Sequence, residues 1–471
     1  MLKVLIEKEI KDAVLSTKFA VTFLICSVMI LLSFYVGAKN YQVSKQRYEA
    51  AVKENLRQLE GLTDWMSVND FRVFLPPTPL GSLVTGISND IGRTVSVSGG
   101  ADVASYDSYF NSDPLYAVFR FFDLEFVFTV ILSLFAILFA FDSVTGEKEK
   151  GTLRLNFANP IPRSTYITGK LTGSLLSFVL PLLLPIGMGI LLLPLLGVYL
   201  NGDEFARLSL IILTGLLYLS VFIMLAIFVS TRTTKSSSSF LFSVGIWITA
   251  VIILPRVLAS ASEIFVTVPP LEEINSKKAR LSAQLWEEDR IAMNNFRPAS
   301  TSNPQDVMAE FGKFMDQLGE NREKKLKDLN DRLFEERMNA QIRRENIAFG
   351  LGSISPATSL SLVTADLAGT SLALENNFRE SVLTYKKSYR DFMFAKTGSK
   401  MTGAFRFRMV TDDNAEKPKP INPSEMPVYT FSAPSLGGIL PGIIWRIGLL
   451  AGFCITLFGA SWYSFLRYDL R

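Results

Sequence analysis

Six runs of apolar residues, each long enough to cross a bilayer, constrain this chain more than any other feature. They occupy residues 19–37, 121–141, 171–200, 208–230, 240–258 and 438–466. A helix needs about 20 residues to span roughly 30 Å of hydrocarbon. There is no water in that layer to satisfy backbone groups, so a spanning segment closes its hydrogen bonds within a helix. The expected class is therefore an all-α membrane protein with six transmembrane helices. Residues 1–18 come before the first run, and Val4, Leu5, Ile10, Val14 and Leu15 recur there at helical spacing among Lys3, Lys8, Lys11 and Lys18. This reads as an amphipathic helix lying at the lipid surface on the cytoplasmic side. A signal peptide is the competing reading of the first run. The run exceeds a typical apolar core and no A-x-A site follows, so an uncleaved anchor is expected.

The segment between the second and third runs, residues 142–170, reads DSVTGEKEKGTLRLNFANPIPRSTYITGK. Lys148, Lys150, Arg154, Arg163 and Lys170 argue for the cytoplasmic face. Asp142, Ser143 and Thr145 suit a helix start, and Glu147 and Glu149 suit the positive end of its dipole. Gly151 interrupts. Asn159, Pro160 and Pro162 end any helix, and Ser164 can cap the next span. The expectation is a short helix on the membrane face, held at both ends by spans and able to pass a push to both.

The strings G-E-K-E-x-G-T-L-R-L and N-P-I-P-R-x-x-Y-I-x-G-K in this segment resemble the coupling segment of ABC-2 type transporter permeases. The resemblance implies docking of a separate ABC ATPase subunit through Glu147, Glu149, Gly151, Thr152, Leu153, Arg154, Pro162 and Arg163. It also implies that ATP and Mg are held on that partner and that this chain carries no cofactor of its own. The layout resembles a long-loop branch of the family, with a large insert between the fifth and sixth spans. Residues 353–370, from Ser353-Ile354-Ser355-Pro356 to Ala368-Gly369-Thr370, resemble that branch too.

Composition narrows the alternatives. The chain has 471 residues, 49% of them hydrophobic, so much of it must lie outside the spans. A net charge of +4 gives no reason to expect nucleic acid as a partner. The absence of histidine removes His-based triads and His metal sites. Cys26 and Cys454 both fall in apolar runs, so no disulfide framework or Cys metal cluster is expected. The stretch from Gly146 to Thr152 imitates the start of a P-loop but lacks the Lys after its second Gly. With no visible ATPase, the chain must borrow one, and with six spans it needs a second copy or a homologue to line a pathway.

Two long segments fill the space outside the bilayer. In residues 38–120, Tyr48, Val52, Leu56 and Leu59 continue the first span as a helix, the prolines from Pro76 to Pro79 break it, and Val95 and Val97 suit a short strand. Asp113-Pro114 then leads toward the second span. Residues 259–437 read as a mainly helical domain. Leu326, Leu329, Leu333, Met338 and Ile342 form one stripe there, and Leu374, Phe378, Val382, Tyr385, Tyr389 and Phe392 form another. Facing stripes of this kind suggest antiparallel helices packed together, with the apolar stripe of the first loop docked on the same unit. Both long segments are expected outside the cytoplasm, and both termini inside, because the short inside loops gather Arg and Lys while the short loop 201–207 holds only Arg207.

Charges within the spans are few. Arg256 and Arg446 are the clearest, and each marks either a pathway or pairing site or a side chain snorkelling to the interface. Asp123 and Glu125 sit where a span begins and face headgroups in the simplest reading. Pro181, Pro185 and Pro194 imply either a bent packing helix or a mobile gate. Two functions remain: an export permease of the cytoplasmic membrane, in contact with membrane lipid, or a mechanotransmitter acting on an extracytoplasmic partner. A membrane-anchored enzyme lacks any visible catalytic constellation.

Overall fold

A computed structural model describes residues 1–68, 71–86, 92–97, 105–106, 122–158, 160–297, 304–397 and 420–468. Asp113, Pro114, Phe121 and Asn159 of the sequence reading lie outside the described residues. The chain divides into two compact units, Met1–Ile253 with Ser355–Arg471, and Leu254–Ile354.

The larger unit begins with α1 (Leu2–Val14) and α2 (Thr17–Arg57). The α2 start is capped by Ser16, whose Oγ accepts from the Phe19 amide at 3.1 Å. At 41 residues, α2 is about 60 Å long, so the first span does run on as a helix well past its apolar part. A three-stranded antiparallel sheet follows, built from β1 (Phe71–Phe74), β2 (Thr94–Val97) and β3 (Ser105–Tyr106), with α3 (Pro79–Leu83) between the first two strands. The second span comprises α4 (Leu124–Phe126), a π-helical stretch Val127–Leu132, and α5 (Ser133–Ala140). Two short helices come next, α6 (Thr145–Glu149) and α7 (Thr152–Ala158), then the long α8 (Arg163–Leu195) and α9 (Gly202–Arg232). The helix α8 continues through Pro181 and Pro185 and ends one residue after Pro194.

Burial makes α9 the axis of this unit. Tyr218, Leu219, Ile223, Ala226 and Ile227 on it are fully buried, and it packs against α5, α8 and the two helices introduced next. These are α10 (Ser236–Ile248), which continues through a second π-helical stretch at Thr249–Ile253, and the helix of the last apolar run, Leu436–Leu466. In contrast, Leu241, Phe242 and Ile246 on α10, and Ile444, Ile455 and Tyr463 on the last helix, stand exposed. Apolar side chains on the outside of a bundle are stable against lipid tails and need no protein cover there.

Leu254–Ile354 forms its own unit of three helices, α11 (Leu254–Phe265), α12 (Leu271–Asn294) and α13 (Pro304–Gly352). The long α13 packs on α11 and α12, burying Ile274, Leu285, Leu333 and Ala340. Arg322 pairs with Asp289 and lies 3.9 Å over the Trp286 ring, a cation–π contact that fixes α12 to α13.

After Ser355 the chain rejoins the larger unit, so the insert expected over 259–437 is not one compact body. Its later part forms α14 (Pro356–Ala368) and α15 (Ala373–Thr397), followed by α16, the last helix (Leu436–Leu466). The stripe on α15 exists, but the surface it covers is the small sheet. Phe378, Val382, Tyr385, Tyr389 and Met393 form one core with Phe71, Val73, Val95 and Val97. The physical reason is pairing of an aromatic-rich helix face with a sheet face of alternating apolar residues, where the Phe71 and Tyr389 rings stack at 5.9 Å. Leu59 from the first loop joins this core, while Leu56 is 39% exposed. Asn55, one residue earlier, fills the inward position and holds the β1 edge by pairing with the Arg72 backbone in both directions.

The chain is thus a multi-pass membrane protein, but the count of six spans is not fixed. Seven segments among the described residues are long and apolar enough to cross, the additional one being Pro356–Thr397. Its apolar residues are interleaved with Ser and Thr, which disguised it as part of a soluble domain.

Leu59→Asp should therefore expose the sheet core and raise protease sensitivity of the purified protein, since burying one large apolar side chain contributes about 1.5–3 kcal/mol. Leu56→Asp should leave the digestion pattern unchanged. Equal sensitivity of the two variants would contradict this packing.

Candidate functional site

The segment 142–170 holds two helices where one was expected. Gly151 separates α6 from α7 with φ at +70°, a left-handed conformation that side chains other than glycine adopt at a cost. The α6 start is not capped by its own Asp142 or Ser143. Ser230, near the end of α9, accepts from the Val144 and Thr145 amides at 3.1 and 2.9 Å. Similarly α8 starts at Arg163 after Pro162, with no side-chain cap from Ser164.

Three successive charged residues on α6 reach four other helices. Glu147 accepts from Lys170 of α8 at 2.5 Å, from Asn156 of α7 at 3.0 Å, and from the Tyr166 hydroxyl. Lys170 also reaches Glu9 of α1 at 2.9 Å, so one buried ammonium joins two carboxylates. Burial pushes the Glu9 carboxyl above its ordinary value, against the downward pull of Lys170. Lys148 donates to the carbonyls of Ser230, Thr231 and Thr233 at 3.2, 2.8 and 2.8 Å, closing the C-terminal end of α9. Glu149 accepts from the amide and hydroxyl of Ser236 at 2.9 and 2.6 Å, at the N-terminal end of α10. Lys148 and Glu149 each have the sign that the adjoining helix end favours.

Arg163 repeats the device on the far side of the segment. It donates to the carbonyls of Leu466 and Tyr468 at 3.1 Å each, closing the C-terminal end of α16. Phe157, Tyr166 and Phe465 stack between α7, α8 and α16, with ring separations of 5.1 and 5.3 Å. Leu153 is buried beside them. The helix α1 lies along α8, and Gly173 permits the approach: a Cβ there would meet Glu9 Cβ at 2.6 Å.

The eight residues predicted to face an ATPase therefore divide. Glu147, Leu153 and Arg163 point into the protein, and Glu149 is held by Ser236. Gly151, Thr152, Arg154 and Pro162 stand exposed, joined by Lys150 and by Leu155 at 69% exposure. Sequence reasoning missed Lys170, Glu9 and Ser230. Lys170 carried a signal, since a lysine at the entrance of a 33-residue apolar helix is costly unless paired.

Of the two intramembrane arginines, Arg256 is exposed on α11. Arg446 takes the pairing role: its guanidinium pairs with Asp366 of α14 at 3.0 Å. Asp123 has a local role in the fold. It caps α4, accepting from Phe126, and accepts from the Thr85 amide at 2.9 Å.

The model of the ABC-2 family transporter protein matches residues 3–332, which contain this whole segment and most of the chain. The chain belongs to the ABC-2 transporter family. A model for a domain of unknown function, DUF3526, matches residues 275–410. Similar curated proteins include two named probable ABC transporter permease protein NosY. The one from Stutzerimonas stutzeri is 32% identical over 132 residues, covering 28% of this chain and 48% of the relative. The one from Pseudomonas aeruginosa is 32% identical over 123 residues, covering 25% and 44%. The chain thus spans about half the length of the curated relatives it matches.

Lys170→Met should cost about 3–5 kcal/mol, because two buried carboxylates lose their counter-charge. Thermal unfolding in detergent reads the loss. Adding Glu9→Gln and Glu147→Gln should recover most of it. An unchanged melting temperature for Lys170→Met would show that the cluster carries no stability.

Proposed function

We propose that this ABC-2 protein is the membrane subunit through which a separate ABC ATPase, holding ATP and Mg, drives export of a solute across the cytoplasmic membrane. In this reading α6 and α7 face the cytoplasm, both termini are cytoplasmic, and the pathway forms with a second copy or a homologue. The observation that carries it is the wiring of residues 145–170. Outward-facing Lys150, Thr152, Arg154 and Leu155 offer a docking surface. Partly buried Glu147, Lys148 and Arg163, with Glu149 at the surface, tie the same short segment to α8, α9, α16 and α10. A displacement applied from outside would reach the ends of four long helices through charge-assisted hydrogen bonds, which are stronger than neutral ones.

The division of labour predicts two kinds of variant. Arg154→Glu with Leu155→Ala should weaken binding of the partner ABC ATPase by at least about tenfold, which is roughly 1.4 kcal/mol, and leave the melting temperature unchanged. Arg163→Met should keep the binding and reduce the ATPase rate change that assembly with this chain produces. Normal ATPase affinity of the Arg154→Glu, Leu155→Ala variant would overturn the assignment of the docking surface.

A further inference from the structure

The segment 142–170 holds the C-terminal end of α9, and a cavity lies at the N-terminal end. It measures about 280 Å³ and is lined by Asp203, Glu204 and Arg207 of α9, Asp366 of α14, Asn377 of α15 and Phe431. The apolar runs of α9 and α16 begin at residues 208 and 438, next to Arg207 and Ile439 in the cavity wall. The cavity therefore sits at the level where hydrocarbon gives way to water. Leu80 and Ile439 give its wall an apolar part beside the charged one.

Arg207 is only 6% exposed. Its Nε donates to Asp203 at 2.7 Å and its Nη2 donates to the Pro434 carbonyl. Its Nη1 has no hydrogen-bond partner among the described residues. A donor left over on a side chain this buried is costly unless an acceptor reaches it. The first turn of α9 favours negative charge at the same place. The carboxylates pull the other way. Asp203 is matched by Arg207, and Asp366 by Arg446 at 3.0 Å, whereas Glu204 has no ion-pair partner among the described residues. Glu204 accepts through Oε2 from the Asn201 amide at 2.8 Å, which leaves Oε1 open. Asn377 is half-buried, and its side chain pairs with none of the described residues. The Phe431 ring adds a surface that attracts ammonium groups.

An unmet donor and an unmatched carboxylate in one cavity suit a ligand that carries both signs. A plain anion would be repelled by Glu204, and a bare cation would leave the Arg207 donor unmet. At headgroup depth the anion within reach is a phosphate. We propose that this cavity binds a zwitterion, an ammonium joined by a short linker to a phosphate, with the phosphate at Arg207 and the ammonium at Glu204 and Asn377. An aminophospholipid headgroup has this chemistry, and so does free phosphoethanolamine. The apolar wall at Leu80 and Ile439 suits the glycerol and first methylenes of the lipid. The site does not depend on the ATPase coupling proposed above.

The test uses the full chain in detergent, stripped of lipid. The probes are dioctanoyl phosphatidylethanolamine, dioctanoyl phosphatidylglycerol and free phosphoethanolamine, titrated by microscale thermophoresis. The ethanolamine lipid should bind at least about tenfold more tightly than the glycerol lipid. Glu204→Gln should remove that preference while keeping the helix cap, since Gln also serves a capping box. Arg207→Gln should weaken both lipids at least about tenfold. Ala373→Trp, at an exposed position on the cavity rim, should abolish binding and leave the melting temperature unchanged. Where Arg207→Gln fails to fold, Ala373→Trp and Glu204→Gln decide. Binding of the ethanolamine lipid alone supports the site with a lipid as its ligand, and equally tight free phosphoethanolamine supports it with a soluble one. The site is overturned if no probe binds, or if Ala373→Trp binds as the unaltered chain does. Glycerol lipid bound as tightly as ethanolamine lipid overturns the zwitterion.

Discussion

One buried ammonium holds the charged segment 142–170 to the bundle. Lys170 enters the bundle on α8 with little access to water, and its position is tolerable because Glu147 and Glu9 both pair with it. Two carboxylates against one cation leave the cluster with excess negative charge, and the Tyr166 and Asn156 donors offset part of that. A buried ion cluster of this kind contributes little net stability but is costly to break from one side. That asymmetry suits a joint. It resists separation of α1, α6 and α8 and imposes no large energy on their moving as one body.

Around this joint the segment uses a second principle repeatedly. Helices end with unsatisfied carbonyls at one terminus and unsatisfied amides at the other. Lys148 and Arg163 serve the C-terminal carbonyls of α9 and α16, Glu149 serves the amide end of α10, and in return Ser230 of α9 serves the amide end of α6. The short helices are therefore stabilised by the long ones they would move. A five-residue helix has no stability of its own, because nucleation is costly and tertiary contacts must supply the difference.

Much of this was legible in the sequence. Apolar run length indicates the long helices and the charged segment between the second and third of them, and Gly151 marks the break within it. Direction was not legible. Glu147 and Glu149 look like free first-turn acids, and what engages them is Lys170, 23 residues on, which draws Glu147 inward, and Ser236, beyond another two spans, which holds Glu149 at the surface. The stripe on α15 was read correctly and its partner was not, because the alternating residues of β1 and β2 are short and far away in sequence. The helix α14 escaped notice as a membrane element because Ser355, Ser359, Ser361 and Thr364 dilute its hydropathy. Those same residues are what let a short helix satisfy its polar groups inside a bundle.

The central claim is that α6, α7 and the ends of the long helices form one mechanical body. Spin labels at Leu155→Cys on α7 and Tyr463→Cys on the last turn of α16, with Cys26 and Cys454 replaced, measure that body by double electron–electron resonance. Both positions are exposed, at 69% and 52%. The account predicts one narrow distance distribution in the chain with Arg163 intact, unchanged by nucleotide in the assembled complex, and a broad one after Arg163→Met. A distribution already broad with Arg163 present, or one indifferent to its replacement, would contradict it.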